Sequence, residues 1–345
     1  MDSDPLLTLI VPAYNASDCI RTCLDDLSAQ TFTDFKVLLM DDGSTDATAA
    51  IGDEYTRRDA RIQVVRLPHS GVSAARNRGL ELADSRFVAF MDSDDRVGPD
   101  YLATFFRTPL PEGDMLVCQG VAINYIGQNR SEYYDYPDTD STDLTGTIVR
   151  YRLLRAGWTY CKLFSLRMIR EYGLRFDTKL SICEDLVFVL DYLSHIQRLI
   201  LRSGTHYRYQ VCSDGKSLSQ RRQPSAETRH AGVLILARQQ ALAEQFGITD
   251  PEFLSEIYCE HGFMNLARSA STGNAADSRA VHRELACNRE IFNKYYNTRL
   301  MCHPIVGKKT LRMYLLLPEA LHLLPHWLIR LRHFIRRVNG RRIRY

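Results

Sequence analysis

Short apolar runs alternate with helical patterns along the first hundred residues. The apolar runs are Leu6–Val11, Phe35–Met40, Ile62–Leu67 and Phe87–Met91, and apolar side chains recur at helical spacing in Ser17–Ala29, Thr45–Arg58 and Val72–Ala83. Nearly continuous apolar strands separated by helices indicate βαβ units, in which helices cover both faces of a mostly parallel sheet. Because the crossovers of such units are right-handed, the carboxyl ends of the strands should share one edge of this α/β sheet.

The pattern changes after residue 105. Residues 105–215 are mixed and rich in tyrosine, and the polar stretch Asn124–Asp143 within them is expected to form a loop or lid. Helical spacing dominates from about residue 225 to 300. We therefore divide the chain into residues 1–105, 106–220 and 221–345, of which the last is a helical region.

Composition narrows the class of protein. With 345 residues, 45% of them hydrophobic and 25% charged, the chain has the make-up of a globular protein with a sizeable core. Its nine cysteines form no CxxC pair, which favours a reducing compartment. The first residues lack the basic start of a signal peptide, and no uncharged stretch approaches the ~20 residues of a membrane span. We expect a cytoplasmic protein, or one that is peripheral on the inner face of the plasma membrane.

The basic charge is concentrated in the C-terminal tail, residues 320–345. This tail holds seven arginines and no acid, so the rest of the chain is net acidic although the total charge is +3. Trp327 and other apolar residues share one face of a helical pattern, which suits an anionic membrane surface. The alternative is a helix docked on the protein's own core with a solvated basic end. No nucleic-acid-binding module accompanies the arginines, so we expect no nucleic-acid partner.

Polar residues follow three of the predicted strands. These segments are Pro12–Asn15 after the first strand, Asp41–Ser44 after the second and Asp92–Asp95 after the fourth. In open α/β sheets, ligands bind outside the carboxyl ends of the strands. Several polar clusters at one edge exceed what turns require, and they predict a ligand site there.

The segment Asp92-Ser93-Asp94 offers two carboxylates two positions apart. Mg²⁺ and Mn²⁺ are commonly held by one or two carboxylates together with phosphate oxygens. Such a cation would stabilise the negative charge on a departing diphosphate. The alternative is an Asp-rich turn without a metal.

Two further motifs follow the second and third strands. A turn and a helix start explain Gly43, Ser44 and Thr45, but they do not explain two carboxylates at a strand end. Asp42 could accept a hydrogen bond from a base N–H, such as a uracil imide. The segment Ser70–Gly79 opens the third helix, and its Arg76 supplies a fork of donors for phosphate or carboxylate. The Gly-rich loops of dinucleotide enzymes and P-loop kinases are absent from the sequence.

Four motifs in order carry a family resemblance. VPAYN (11–15), MDDGSTD (40–46), SGVSAARNRGLELA (70–83) and FVAFMDSDD (87–95) closely resemble the family 2 glycosyltransferases with the GT-A fold. The match covers residues 5–105 and continues more weakly through Trp158–Phe164, Gly173–Phe176 and Glu184-Asp185. It implies that residues 1–105 form the nucleotide-sugar-binding half of a GT-A domain and residues 106–220 its acceptor-binding and catalytic half.

The resemblance also implies roles for individual residues. A Mn²⁺ or Mg²⁺ ion would be held at Asp94, with Asp92 beside it. Asp42 and Tyr14 would bind the base of a UDP-sugar-type donor, and Asp185 matches the general base. The residues implied on the donor side are Pro12, Tyr14, Asn15, Asp42, Arg76, Asn77, Asp92 and Ser93, with Ser217 and Ser219 in a loop that closes on the diphosphate. Those implied on the acceptor side are Trp158, Lys162 and Glu184.

A base is needed because an acceptor hydroxyl is a poor nucleophile until its proton is removed. Glu184 and a nearby diphosphate should raise the pKa of Asp185 and make it a stronger base. The alternative is that both acids stabilise the start of the helical run Leu186–Leu193. One base and one metal predict a single displacement that inverts the anomeric carbon, onto a saccharide or lipid-linked saccharide acceptor for surface polysaccharide assembly.

Two other classes of protein remain open. A nucleotidyltransferase that makes a nucleotide sugar shares an α/β nucleotide-binding core, but it usually carries a Gly-rich loop with a basic end where this chain has Tyr14-Asn15. A non-catalytic nucleotide-sugar-binding protein would have little use for a base at Asp185.

Overall fold

The computed structural model describes residues 5–128, 130–211, 225–266, 269 and 275–295. These residues form two compact units, one within 1–151 and 157–221 and the other within 152–156 and 222–345. Ser217, Ser219 and the basic tail 320–345, all predicted to have functional roles, lie outside the described residues.

The first hundred residues form the predicted alternation of strands and helices. The strands are β1 (Leu7–Ala13), β2 (Phe35–Asp41), β3 (Ile62–Arg66) and β4 (Phe87–Phe90), and the helices are α1 (Ile20–Ser28), α2 (Thr48–Arg58) and α3 (Val72–Leu82). Every residue of β1 and β4 is buried. This continuous burial is expected of strands covered on both faces, and it explains their unbroken apolar runs.

The second half of the first unit is more varied. Its strands are β5 (Arg96–Val97), β6 (Met115–Tyr125), β7 (Arg130–Tyr134), β8 (Thr139–Ser141), β9 (Lys162–Ser165) and β10 (Arg198–Val211). Its helices are α4 (Tyr101–Phe105), α5 (Leu144–Arg150), α6 (Leu166–Glu171) and α7 (Glu184–Leu193).

Among the described residues, these ten strands form one sheet. Its order is β3-β2-β1-β4-β9-β6-β10-β5, with β7 paired to β6 and β8 paired to β10. The strands β3, β2, β1 and β4 run parallel, which confirms that their carboxyl ends share an edge. Beyond β4 the sheet is mixed, because β9 runs antiparallel to both β4 and β6 while β6 and β10 are parallel.

The expectation of a loop or lid at Asn124–Asp143 is wrong. β7 pairs antiparallel with β6, and β8 pairs antiparallel with β10. Most side chains of β7 are exposed. An exposed edge strand needs no alternation of apolar and polar residues, so hydrophobic periodicity gave no signal here.

Packing of aromatic rings holds α7 against the sheet. Phe90 of β4, Phe164 of β9 and Phe188 of α7 meet edge to face, with ring centroids 5.5–5.9 Å apart. This geometry is the favoured one for aromatic pairs. It positions the first turn of α7, and therefore Glu184 and Asp185, relative to the sheet.

The second unit is helical where the structure describes it. It contains α8 (Ser225–Gln245), α9 (Pro251–Ile257), a π-helical turn (Tyr258–Phe263), α10 (Ala275–Cys287) and α11 (Arg289–Tyr295). Arg155 forms ion pairs with Glu256 and Glu260 within this unit. Within the described segments, no helix combines the length and apolar character that membrane crossing requires.

Candidate active site

The loops that follow β1, β2 and β4, here called the strand-end loops, comprise residues 14–19, 42–47 and 91–95. The first two are tied together by side chains. Asn15 Oδ1 accepts a hydrogen bond of 2.8 Å from the Thr45 N–H, and the Asn15 N–H donates to Ser44 Oγ at 2.9 Å. Asn15 has a left-handed backbone with φ of 48°, which non-glycine residues adopt at a cost. These bonds hold it there.

Asp42 fixes the start of α3. Its carboxylate is buried and accepts the N–H groups of Ser70 and Gly71, both at 2.8 Å. His69 Nδ1 lies 2.8 Å from the same carboxylate. The exposed ring of Tyr14 stacks on the ring of His69 with centroids 4.1 Å apart. A base-binding role for Asp42 and Tyr14 stays a prediction. The buried Pro12 lies two positions before Tyr14, at the end of β1.

Asp92 and Asp94 follow β4, as predicted, and Ser93 lies half-buried between them. One oxygen of Asp92 accepts a hydrogen bond of 2.8 Å from Arg76. Asp94 is exposed, and in the described part of the chain it forms no ion pair. Protein atoms that desolvate its carboxylate, and the charge of Asp92, raise the pKa of Asp94 to about 6. An unpaired carboxylate beside a second one with a free oxygen fits a divalent cation that also binds phosphate.

Asp95 is a buried carboxylate to which sequence reasoning assigned no role. Its oxygens accept hydrogen bonds from the Tyr207 hydroxyl at 2.6 Å and from the Gln210 N–H at 2.8 Å. The Tyr207 hydroxyl also accepts the N–H of Asp92 at 3.2 Å. Burial and the charges of Asp92 and Asp94 raise the pKa of Asp95 well above its ordinary value. The Asp-rich segment was visible in the sequence, but nothing marked Tyr207, 112 positions away, as its partner.

Arg76 joins the two acidic segments. Its guanidinium is buried and donates to Asp92 Oδ1 and to Glu184 Oε1, each at 2.8 Å. Burial alone disfavours the charged form, but Asp92 and Glu184 outweigh this and raise the pKa of Arg76. Its fork therefore binds carboxylates, one of the two ligand types that the sequence predicted for it. A direct contact with a donor stays a prediction.

Asp185 lies in the first turn of α7, after Cys183, whose backbone is left-handed with φ of 58°. Burial and the charge of Glu184 raise the pKa of Asp185 to about 7, against the opposing charge of Arg76 and the N–H of Leu186. A carboxyl group with this pKa can take up a proton near neutral pH, which is what a general base must do.

Asn77 and Lys162 make contacts within the protein. The Asn77 amide donates to the Phe176 carbonyl and accepts the Phe176 N–H, both at 2.9 Å. To contact the nucleotide-sugar donor, the Asn77 side chain would have to break these two hydrogen bonds with Phe176. Lys162 is buried, which lowers its pKa, and its ammonium donates to the Trp158 carbonyl at 2.6 Å. Lys162 thus holds the Trp158 loop, and its role toward an acceptor stays a prediction.

A series of stacked rings lies beside the carboxylates. We call Tyr134, Trp158, Tyr160 and Tyr209 the aromatic face. Tyr160 lies parallel to Trp158 at 5.9 Å and to the buried Tyr207 at 4.5 Å, and it stacks on Tyr209 at 5.6 Å. Tyr134 contacts Trp158 at a centroid distance of 6.1 Å. The predicted acceptor-side residue Trp158 therefore lies within a larger aromatic surface.

The structure thus brings together five of the predicted residues: Arg76, Asp92, Asp94, Glu184 and Asp185. Asp42 lies two strands away, after β2, or about 10 Å by the usual spacing of strands. A separate groove of about 1080 Å³ lies at the opposite end of β4, lined by residues such as Arg86, Glu112 and Arg170. It contains none of these carboxylates.

Comparison with known proteins identifies the domain. Residues 8–173 match the model of glycosyl transferase family 2. The glycosyltransferase EpsH of Bacillus subtilis is 34% identical over 182 residues, which are 50% of this chain and 50% of EpsH. The poly(ribitol-phosphate) beta-glucosyltransferase of Bacillus spizizenii is 26% identical over 219 residues, 62% of this chain and 33% of that protein. The chain thus spans about half the length of EpsH and a third of the glucosyltransferase.

A solved structure shares the fold. The crystal structure of S. aureus TarS 1–349 in complex with UDP-GlcNAc superposes with a TM-score of 0.65 at 18% identity, covering 98% of this chain and 93% of that one. This likeness confirms the predicted α/β GT-A architecture. Over residues 8–173 the chain is therefore similar to the members of glycosyl transferase family 2.

Proposed function

We propose that the protein is an inverting glycosyltransferase that moves a sugar from a nucleotide-diphosphate donor to an acceptor hydroxyl. The observation that carries this proposal is the Arg76 bridge. It links the strand-end carboxylate Asp92 to Glu184, the neighbour of Asp185. Asp92, which is suited to bind a metal-bound diphosphate, therefore lies on one side of the Arg76 guanidinium. The segment that carries Asp185, which is suited to remove a proton, lies on the other side.

The strand-end loops would bind the donor. The stacked rings of Tyr14 and His69 offer an aromatic surface for a nucleobase. Asp42 Oδ1 accepts the Ser70 N–H and keeps a lone pair for a base N–H, whereas Oδ2 contacts both the Gly71 N–H and His69 Nδ1. The structural neighbour TarS binds UDP-GlcNAc, which supports a UDP-sugar-type donor here. Ser217 and Ser219 would contact the diphosphate.

Asp92 and Asp94 would hold a Mn²⁺ or Mg²⁺ ion. When bound, the ion neutralises charge on the diphosphate as it leaves. The protein's own contribution is to orient Asp92 through Arg76 and to present the unpaired carboxylate of Asp94 beside it.

Asp185 would act as the base. As the acceptor oxygen attacks the anomeric carbon, its proton passes to the Asp185 carboxylate. The new C–O bond forms while the bond from the anomeric carbon to the diphosphate oxygen breaks, and the nucleoside diphosphate leaves with that electron pair. One displacement inverts the anomeric centre, so an α-linked donor would give a β-linked product.

The relatives support the proposed acceptor class. The poly(ribitol-phosphate) beta-glucosyltransferase supports a saccharide or lipid-linked saccharide acceptor in surface polysaccharide assembly. The tail 320–345 would then hold the protein at an anionic membrane surface. Deletion of residues 320–345 should move the protein from the pellet of anionic vesicles to the supernatant.

The decisive experiment is a panel of nucleotide sugars assayed with Mn²⁺ and a saccharide acceptor. Release of the nucleoside diphosphate supports glycosyl transfer. Release of pyrophosphate would instead identify a nucleotidyltransferase, and binding without turnover would identify a binding protein. NMR of the product's anomeric configuration tests inversion, and retention would refute the single displacement.

A further inference from the structure

The aromatic face continues outward onto β7, well beyond the carboxylates. Three of the large hydrophobic side chains exposed in the described residues lie on β7 or its turn: Ile126 at 47%, Tyr133 at 68% and Tyr134 at 46% exposure. Large apolar side chains with this exposure leave apolar surface in contact with water, which is unfavourable unless a ligand or partner covers it. Their placement on the sheet decides which of them faces the site.

The strand register assigns the two tyrosines to opposite faces. Tyr134 pairs with Val121 of β6, which in turn pairs with Tyr207 of β10. Residues directly opposite each other point to the same face of a sheet, and successive residues alternate. Tyr134 therefore shares a face with Tyr207, whose hydroxyl binds Asp95. Tyr133 pairs with Ala122 and points to the other face.

The rings on this face form a path toward Asp185. Tyr134 contacts Trp158, Trp158 stacks on Tyr160, and Tyr160 stacks on Tyr209. The charge of Asp185 contributes to the raised pKa of Tyr160, although burial contributes most. Gly157, next to Trp158, packs so closely on Leu186 that an added Cβ would lie 2.5 Å from the Leu186 Cβ. The inner end of the aromatic face therefore adjoins the turn that carries Asp185.

Polar groups border the outer end. Arg130, Glu132 and Tyr134 lie two positions apart along β7, so their side chains share one face of the sheet. Arg130 and Glu132 form an ion pair with each other. Arg130 also lies over the ring of Tyr125, 4.6 Å from its centroid. The rings of Tyr134 and Trp158 are tilted by 57° to each other. Aromatic rings bordered by charged donors and acceptors suit a pyranose ring, whose C–H face is apolar and whose edge carries hydroxyl groups.

We propose that Tyr134 and Trp158 form an acceptor-sugar subsite at the outer end of the aromatic face, which stacks a pyranose unit of a saccharide acceptor. This subsite rests on the proposed function for its role, since it supplies the acceptor to Asp185. Tyr134 contributes the exposed ring. Lys162 holds the Trp158 loop through the Trp158 carbonyl, and its ammonium lies 5.4 Å from the centroid of the Trp158 ring.

Trp158 provides its own reporter. The chain has two tryptophans, Trp158 and Trp327, so in the Trp327→Phe variant of the 345-residue chain the tryptophan emission comes from Trp158 alone. The probes are methyl glycosides and disaccharides of glucose, galactose, mannose and N-acetylglucosamine, titrated in the presence of UDP and Mn²⁺. At least one of them should change the Trp158 emission in a saturable way.

Adjacent tyrosines provide a matched control. In the Trp327→Phe background, Tyr134→Ala should weaken saccharide binding about three- to tenfold, the effect of one lost ring contact. Tyr133→Ala removes the same ring from the other face and should change binding by less than about twofold, by the same estimate of ring contacts. Tyr134→Phe should restore binding, because stacking needs the ring and not the hydroxyl.

The outcomes separate this inference from the proposed function. Nucleoside diphosphate release by slow donor hydrolysis without acceptor, measured on the Trp327→Phe protein, tests the donor site independently of the subsite, and Tyr133→Ala should leave it unchanged. The subsite is refuted if donors turn over while every probe leaves the Trp158 emission unchanged. It is also refuted if Tyr133→Ala weakens binding as much as Tyr134→Ala. A Trp158 response without any donor turnover would refute the proposed function and leave the saccharide site standing.

Discussion

The strand-end loops are held by hydrogen bonds, whereas the aromatic face is held by ring packing. Asn15 and Asp42 each bind backbone N–H groups of a neighbouring segment. Tyr160 is instead fixed by flat contacts with Trp158 and Tyr207. Both regions meet at the carboxylates of Asp92, Asp95 and Asp185.

This contrast has an energetic consequence. A buried charge that loses its partner is costly, because the remaining charge is left without compensation. A ring that is lost from a stack removes a smaller, graded contribution. We therefore expect large effects from changes at the carboxylates and Arg76, and smaller effects from changes among the tyrosines.

The largest effect is expected for Asp185→Asn. The amide cannot take up the acceptor proton, so sugar transfer should fall by about 10²–10⁴-fold. Binding of the nucleotide sugar, measured by thermal shift, should persist. Asp191→Asn, near the other end of α7, is the matched control and should keep the parental rate. A transfer rate within tenfold of the parent for Asp185→Asn would remove Asp185 as the base.

Arg76→Gln should destabilise the protein by about 3 kcal/mol, the lower end of the range for a broken buried pair, because it leaves the partly buried carboxylates of Asp92 and Glu184 without their cation. Urea unfolding followed by circular dichroism measures this loss. Arg78→Gln provides the control on the same helix. Arg78 pairs with Glu81 at the surface, and an exposed pair contributes about 1 kcal/mol or less. Equal losses in the free energy of unfolding for the two variants would show that the Arg76 bridge contributes no more to stability than the surface pair Arg78–Glu81.

Asp94→Asn should slow nucleoside diphosphate release about 100-fold, since charge stabilisation by a bound cation is worth several kcal/mol. It should also abolish any increase in thermal stability caused by UDP with Mn²⁺. The control is Asp100→Asn, whose carboxylate accepts the hydroxyl of Thr31 at the surface. Persistence of the Mn²⁺ response in Asp94→Asn would contradict the proposed metal site.

The pH dependence should follow Asp185. Its pKa is raised to about 7 by burial and Glu184, and only its unprotonated form accepts a proton. The value of kcat/KM should therefore rise with pH up to about 7 and then level off. Below the midpoint it should fall by about tenfold per pH unit. Among the described residues, Arg76, Asp92, Lys162 and Tyr160 also interact electrostatically with Asp185.

Glu184→Gln sharpens this test because it removes a negative charge beside Asp185. The acid limb of the pH profile should move to lower pH. A shift to higher pH, or a wild-type profile that stays flat down to pH 5, would show that a different group acts as the base.

The smallest effect is expected for Tyr207→Phe. Loss of the hydroxyl breaks its bonds to Asp95 and to the Asp92 N–H and should cost about 1–3 kcal/mol of stability. Tyr101→Phe is the control, because the buried Tyr101 hydroxyl has no hydrogen-bond partner of good geometry among the described residues. Its removal should be neutral or stabilising. A larger loss for Tyr101→Phe than for Tyr207→Phe would contradict the hydrogen-bond network.

Much of the first half of the site could be predicted from local pattern. The apolar run ending in Asp92-Ser93-Asp94 marks a buried strand and its polar end, and parallel βαβ units bring such ends together. The strand β7 could not be predicted, because an exposed edge strand carries no periodic constraint. Asp95 was equally hidden, since an Asp-rich turn does not reveal which of its carboxylates is buried.

Over the first hundred residues the amino-acid sequence by itself determined the order of strands and helices, because burial on both faces requires continuous apolar runs and helices require their own spacing. It also placed Asp42, Asp92 and Asp94 at the carboxyl ends of their strands. Only the tertiary structure decided which groups meet. Arg76 reaches Glu184 across 108 positions and Tyr207 reaches Asp95 across 112. Such pairs depend on how β4, α7 and β10 pack together, and no short-range pattern in the chain encodes that packing.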